Sequence, residues 1–250
     1  SLGNNLATLK LPAGFGYINA EHTRQMLKAN ANDDPGTLGV VEPLAKDAGY
    51  EIHLAFRDQG YVEDNDADKL NPDEILKSYQ EGTESMNEQR KKSGIPAFHV
   101  TAWETTPSYD KSKHVVVWSM LAKEDGSPDP FVNYNTRLLG RKGVLEVNLI
   151  CDLKNLPASK APLSKILDSV SYNQGERYQD YQKGDRVSAG GIAALVLGGA
   201  ALKKLGVLGF LVAFFKPLLL AGKKFIIFIV AGVAAIFNRL TGRSKKSEDA

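Results

Sequence analysis

Residues 187–238 form a run of 52 positions whose only charges are Lys203, Lys204, Lys216, Lys223 and Lys224, and no Asp or Glu occurs between Asp185 and Glu248. A helix on a soluble core hides one stripe and shows water a polar face. Residues 192–202 and 225–237 are apolar all round and have no such face. The expected solvent is lipid, with the lysines snorkelling to the headgroups on their long stems. The number of crossings stays open, because the lysines cut the run into pieces near 187–202, 205–221 and 225–238 and Pro217 interrupts the second. Arg239, Arg243, Lys245 and Lys246 follow at once, and positive charge stays on the cytoplasmic side. Gly190, Gly191, Gly198 and Gly199 let helices approach closely, which points to self-association through the membrane part.

Whole-chain averages conceal a division. Residues 1–185 carry 27 acids and 21 bases, whereas residues 186–250 carry 2 acids and 10 bases. An acidic ectodomain joined to a basic anchor suits a lipid-bilayer partner and gives no nucleic-acid footprint. The expected organisation is an extracytoplasmic domain over 1–171, a juxtamembrane linker over 172–186, membrane-embedded helices over 187–238 and a basic cytoplasmic tail over 239–250. The chain opens at Ser1 with no charged and apolar leader, so a removed signal peptide is expected.

Within the acidic part the periodicities alternate between strand and helix. Residues 7–11, 15–19 and 50–57 read as strands, the last with Ile52, Leu54 and Phe56 on one side and Glu51, His53 and Arg57 toward water. Residues 20–29 read as a helix capped by Asn19. Residues 72–92 read as a long helix capped by Asn71, with Pro72 at its first position and Gly94 as its stop. Residues 97–104, 113–122, 131–139 and 143–151 are consecutive strands with short connections. Residues 162–170 repeat apolar positions at helical spacing. The fold class is therefore α+β: an antiparallel sheet flanked by helices in an α/β/α sandwich-like arrangement, followed by an all-helical C-terminal anchor.

Three groups of residues qualify as sites. Asp64, Asp66 and Asp68 alternate in an acidic loop and can converge oxygens on calcium, although Lys69 and Ile75 stand where the helix–loop–helix calcium motif needs Gly and Glu. Arg137, Arg141 and Lys142, with Trp103 and Trp118, place basic and aromatic groups at one rim that suits anionic headgroups or a partner's acids. A hydrolytic site would have to assemble in space from Ser119 or Cys151 with His99 or His114, since no HExxH, CxxC or GxSxG pattern occurs. Cys151 is the single cysteine and excludes an internal disulfide. No cofactor is expected apart from the possible calcium.

The opening LPAGF, the central meander and the closing strand, helix and aromatic segment resemble the α/β/α sandwich of exported proteins related to the photosystem protein PsbP and the import factor Mog1. The stretches GFGYINAEHTRQML, DQGYVEDNDADKLNPDEIL and YNTRLLGRKGVLEVN, with Trp103 and Tyr109-Asp110, resemble a bacterial family of predicted membrane-anchored proteins defined by a domain of unknown function. That resemblance implies the inner membrane, with the soluble domain outside the cytoplasm, and brings no activity. The expectation is a non-enzymatic, membrane-anchored envelope protein serving interaction or assembly, as a homo-oligomer or with another envelope protein. The alternatives are an extracytoplasmic ion or ligand sensor using the acidic loop, and a hydrolase.

Overall fold

The computed structural model describes residues 1–29, 34–45, 48–92, 94 and 96–197. Nine strands occur there: β1 (Ala7–Leu9), β2 (Phe15–Asn19), β3 (Thr37–Pro43), β4 (Tyr50–Arg57), β5 (Phe98–Asp110), β6 (Val115–Glu124), β7 (Phe131–Leu139), β8 (Val144–Asp152) and β9 (Val170–Tyr172). Seven of them make one antiparallel sheet in the order β2-β3-β4-β8-β7-β6-β5. β1 and β9 form a separate two-stranded ribbon that ties the start of the domain to its end. The helices are α1 (Ala20–Ala29), α2 (Pro72–Lys92), α3 (Leu156–Ser169) and α4 (Ile192–Leu197).

Strand alternation assigns the two faces. On one, Val41, Ile52, Leu54, Val132, Leu145, Val147, Leu149 and Cys151 are buried together with Leu156, Leu163 and Ile166 of α3. On the other, Val116, Trp118, Met120, Ala122, Leu139 and Val144 meet Ile75 and Tyr79 of α2 and Ile192, Leu195 and Val196 of α4. Val40 points to that second face, opposite Val41. Val40 is 1% exposed there, and α1, with Leu27 4% exposed, packs on β2 and β3. The antiparallel sheet with flanking helices is the α+β architecture expected from the sequence.

Local signals explain where elements begin and end. Asn19 Oδ1 accepts the His22 N–H at 3.0 Å and Asn71 Oδ1 accepts the Glu74 N–H at 3.3 Å, so both expected caps form. Gly94 takes φ +68° just past α2, a left-handed conformation that ends the helix. β5 runs on to Asp110, through most of the short connection expected between the strands at 97–104 and 113–122, absorbing the extra residues in three register shifts. Its Pro107 is tolerated because β5 is an edge strand. α3 starts at Leu156 rather than at 162: Pro157 suits the first turn, and Pro162 lies inside the helix.

Two expectations are corrected. The second face of β4 is only partly wet: Glu51 is 3% and Ala55 5% exposed on the side of the sheet that α2 and α4 cover, while His53 and Arg57 keep partial exposure. The segment expected to enter the membrane at Val187 instead continues the domain, with Ile192, Leu195 and Val196 buried against α2 and β6. The reason is tertiary: α4 has an apolar stripe that packs in the second cluster and an acidic cap supplied by Asp66 of a distant loop. Residues 198–238, the rest of the expected anchor, lie outside the described residues, as does the basic tail. Among the described residues no helix is long and apolar enough to cross a membrane.

Candidate functional site

Three neighbouring strands put charges on the second face at one level. Cross-strand register sets Arg137 opposite Glu146, and Glu146 opposite Ala55 beside Arg57. Arg137 Nε lies 3.1 Å from Glu146 Oε1, and the guanidinium also donates to Asn148 Oδ1 at 2.6 Å and Asn135 Oδ1 at 3.3 Å. Its charge sits 4.8 Å from the centre of the Trp118 ring, a cation–π distance. Arg57 then bridges Glu146 at 2.9 Å and Asp34 at 2.5 Å, closing a line Asp34–Arg57–Glu146–Arg137. Arg137 is 1% exposed, and that burial lowers its pKa while Glu146 works in the opposite direction. A cation this deep needs its carboxylate, because ion pairs taken out of water survive only with good geometry and full hydrogen bonding.

At the end of the sheet where β4 and β8 meet, the segment after β9 is strapped down. Arg141 Nε and Nη2 grip the two carboxylate oxygens of Asp185 at 2.7 and 2.9 Å, a bidentate pair. That contact lowers the Asp185 pKa to about 2. Lys142 reaches Glu176 at 2.6 Å, and Tyr61 exchanges backbone hydrogen bonds with Arg186 and Ser188. Gly60 has φ +92° and lies against the Arg186 carbonyl, where a Cβ would collide. Rings complete the strap: Tyr61 packs between Tyr178 (4.4 Å) and Tyr181 (4.3 Å), and His114 packs on Tyr178 at 4.1 Å. Tyr178 also donates its hydroxyl to the Val62 carbonyl at 2.9 Å.

The acidic loop has its partners inside the fold. Asp66 Oδ1 accepts the Ile192 N–H at 2.8 Å and Oδ2 accepts the Ala193 N–H at 3.3 Å, so Asp66 caps α4 across 126 residues of sequence. Gly191 is needed there, since a Cβ would strike the Asp66 carboxylate, and Gly190 sits against Ala194. Asp64 accepts the Tyr109 hydroxyl at 2.8 Å, while Asp68 is exposed. Among the described residues no group of three or more His, Cys, Asp or Glu side chains is placed to hold a metal ion. Replacing Asp66 with Ala is expected to cost about 1–2 kcal/mol through the lost cap. Asp68→Ala is expected to change stability by less than about 0.5 kcal/mol. Urea unfolding of the two variants makes the comparison.

The remaining expected site residues fall as follows. Arg137 is no rim residue, because the alternation of β7 turns it into the second face. Arg141 and Lys142 do lie at the turn, but their charges are spent on Asp185 and Glu176 of the strap. Gly198 and Gly199 lie outside the described residues. Trp103 donates its indole N–H to the Pro72 carbonyl at 3.1 Å, and Trp118 lies in the core beneath α2. Ser119 is buried and donates to Glu104 at 2.5 Å, with Lys160 on the other Glu104 oxygen at 2.9 Å. His99 bonds Glu84 and His114 meets Tyr109, so neither is hydrogen-bonded to Ser119 or Cys151. Burial pushes the Cys151 thiol up to about 12, which keeps it protonated and a poor nucleophile.

Sequence reasoning missed Glu42, which lies one step beyond the Val41–Ile52 pair and so beside Glu51. Burial and the neighbouring Glu51 charge raise its pKa from the ordinary 4.5 to about 7. A carboxyl raised on folding binds protons more tightly in the folded state, so its stabilising contribution is complete below the unfolded pKa and is lost as pH rises through the folded one. Stability is expected to fall between about pH 4.5 and pH 7 from this group. Glu42→Gln is expected to remove about 1 kcal/mol of that slope, the half-exposed position screening the rest. Melting temperatures of both proteins across that interval measure it. The alternating pattern of β3 was the signal available, since it puts Glu42 on the covered face with Val40.

A sheet covered on both faces, a buried charge line and a strapped-down carboxyl-terminal segment define the chain as an α/β/α sandwich domain in which the beginning of the long apolar run is part of the core. The chain belongs to the protein family of unknown function DUF2167, which it matches over residues 1–234. No curated protein matches it. Among solved structures it is similar to the cyanobacterial PsbP (CyanoP) from Synechocystis sp. PCC 6803, at 9% identity and a TM-score of 0.41, covering 68% of this chain and 88% of that one. It is also similar to the Saccharomyces cerevisiae Ran-binding protein Mog1p, at 12% identity and a TM-score of 0.30, covering 66% of this chain and 89% of that one.

Proposed function

We propose that the protein is a membrane-anchored envelope module that serves interaction or assembly and carries no catalytic site of its own, with residues 198–238 as its lipid-embedded part. The observation that carries this reading is the strap. A flexible tether would leave the domain free to swing, whereas the Arg141–Asp185 pair, the Tyr61 stack and the Asp66 cap fix the domain to the first turns of the apolar run. Such rigidity suits a domain that must present one surface at a set angle to the bilayer. Uniform apolarity and the lysine-only punctuation of residues 198–238 support the lipid assignment. The deep burial of the strongest charges agrees with a structural rather than a chemical use of them.

The test is fractionation of cells making the full chain, followed by crosslinking in the intact cells and mass determination in detergent. The chain is expected in the carbonate-resistant membrane fraction and in a crosslinked species larger than one copy. A strictly monomeric protein that captures nothing and washes off the membrane would overturn the reading.

A further inference from the structure

Glu42, Glu51, Ile150 and Asn133 lie side by side in one row across β3, β4, β8 and β7 on the second face. α1 packs on β2 and β3 and α2 on β5, which leaves the row on the strands between the two helices. Glu42 and, in the adjacent row, His53 and Asn148 are partly exposed there, as is Ile150 at the edge of the second cluster. Two features of the row lack their complement. Glu42 faces the like charge of Glu51 and makes no ion pair among the described residues, while Glu51 has only His53 at 2.7 Å. Asn133 is 9% exposed and its Oδ1 is buried with no hydrogen-bond partner. An acceptor left this way costs free energy that a donor would recover.

Every unmet group in the row is an acceptor, and the two ends differ in charge. Strands in a sheet lie about 4.8 Å apart, which puts Asn133 about 10 Å from Glu51. We propose that the row is a binding site for an extended organic cation with donors at both ends, a diamine or polyamine, whose one ammonium sits on Glu42 and Glu51 and whose other end is directed to Asn133. A ligand that pairs with Glu42 also removes the repulsion between the two carboxylates.

Isothermal calorimetry on the full chain in detergent, with spermidine and butylamine as probes, tests the site. Spermidine is expected to bind saturably. Glu42→Gln, which relieves the like-charge contact and so folds, is expected to weaken it about tenfold or more. Asn133→Ala is expected to weaken spermidine several-fold while leaving butylamine unchanged. No saturable spermidine binding, or binding indifferent to Glu42→Gln, overturns the proposal.

Discussion

A fragment ending at Arg186 is expected to be about 5 kcal/mol less stable than one ending at Leu197, although the shorter piece is the soluble domain that the hydropathy of the sequence marks out. The difference is the burial of Ile192, Leu195 and Val196, which are 0%, 5% and 0% exposed. Each such side chain contributes about 1.5–3 kcal/mol when buried, an upper range because the unfolded chain already hides some of it. Losing α4 also uncovers Tyr79 and Trp118 and leaves Asp66 without the N–H groups it caps. With total stabilities near 5–15 kcal/mol, the shorter fragment is expected to be largely unfolded or to keep secondary structure without fixed packing. Urea unfolding and near-ultraviolet circular dichroism of the two fragments read this directly.

The second large effect is expected at the charge line. Glu146→Gln is expected to destabilise the protein by about 3–5 kcal/mol, because it leaves Arg137 buried with no carboxylate beside it. For a domain of this size that corresponds to a fall of about 10 °C in melting temperature. Arg137→Met is expected to cost less than the Glu146 change, since Arg57 still faces Glu146 at 2.9 Å and the flexible thioether fills the space over Trp118. The double variant Arg137→Met, Glu146→Gln is expected to be more stable than Glu146→Gln alone. Thermal unfolding of the three variants as a mutant cycle measures the coupling.

Much of this architecture is legible in the residues. The strands at Phe15–Asn19, Tyr50–Arg57 and Phe131–Leu139 and the helices α1 and α2 match the sequence reading end for end, because alternation, caps and Gly94 are all local signals. What local signals do not carry is which faces get covered. Glu51 and Arg57 read as solvent-facing charges on a strand with one wet face and Arg137 as a rim cation, yet Arg57 and Arg137 both pair with Glu146 of the neighbouring β8, and Glu51 pairs with His53 of its own strand. The same holds for Asp66, whose alternation with Asp64 and Asp68 suggests a cation, while its partners are backbone N–H groups far along the chain. Hydropathy likewise cannot separate the turn of apolar helix that packs on a sheet from the apolar residues that follow it in the sequence. The separation depends on shape and on a cap supplied by a distant loop.

The rigid root of the apolar run gives the account its central claim, and nuclear Overhauser measurements on the full chain in deuterated-lipid and protonated-lipid micelles test it most directly. Val196 accepts the Tyr79 hydroxyl at its carbonyl, and its side chain lies in the same cluster as Trp118. The account predicts cross-relaxation from the Ile192 and Val196 methyl groups to the Tyr79 and Trp118 rings, unchanged between the two micelles. Cross-relaxation from those methyl groups to acyl chains in place of the rings would contradict it.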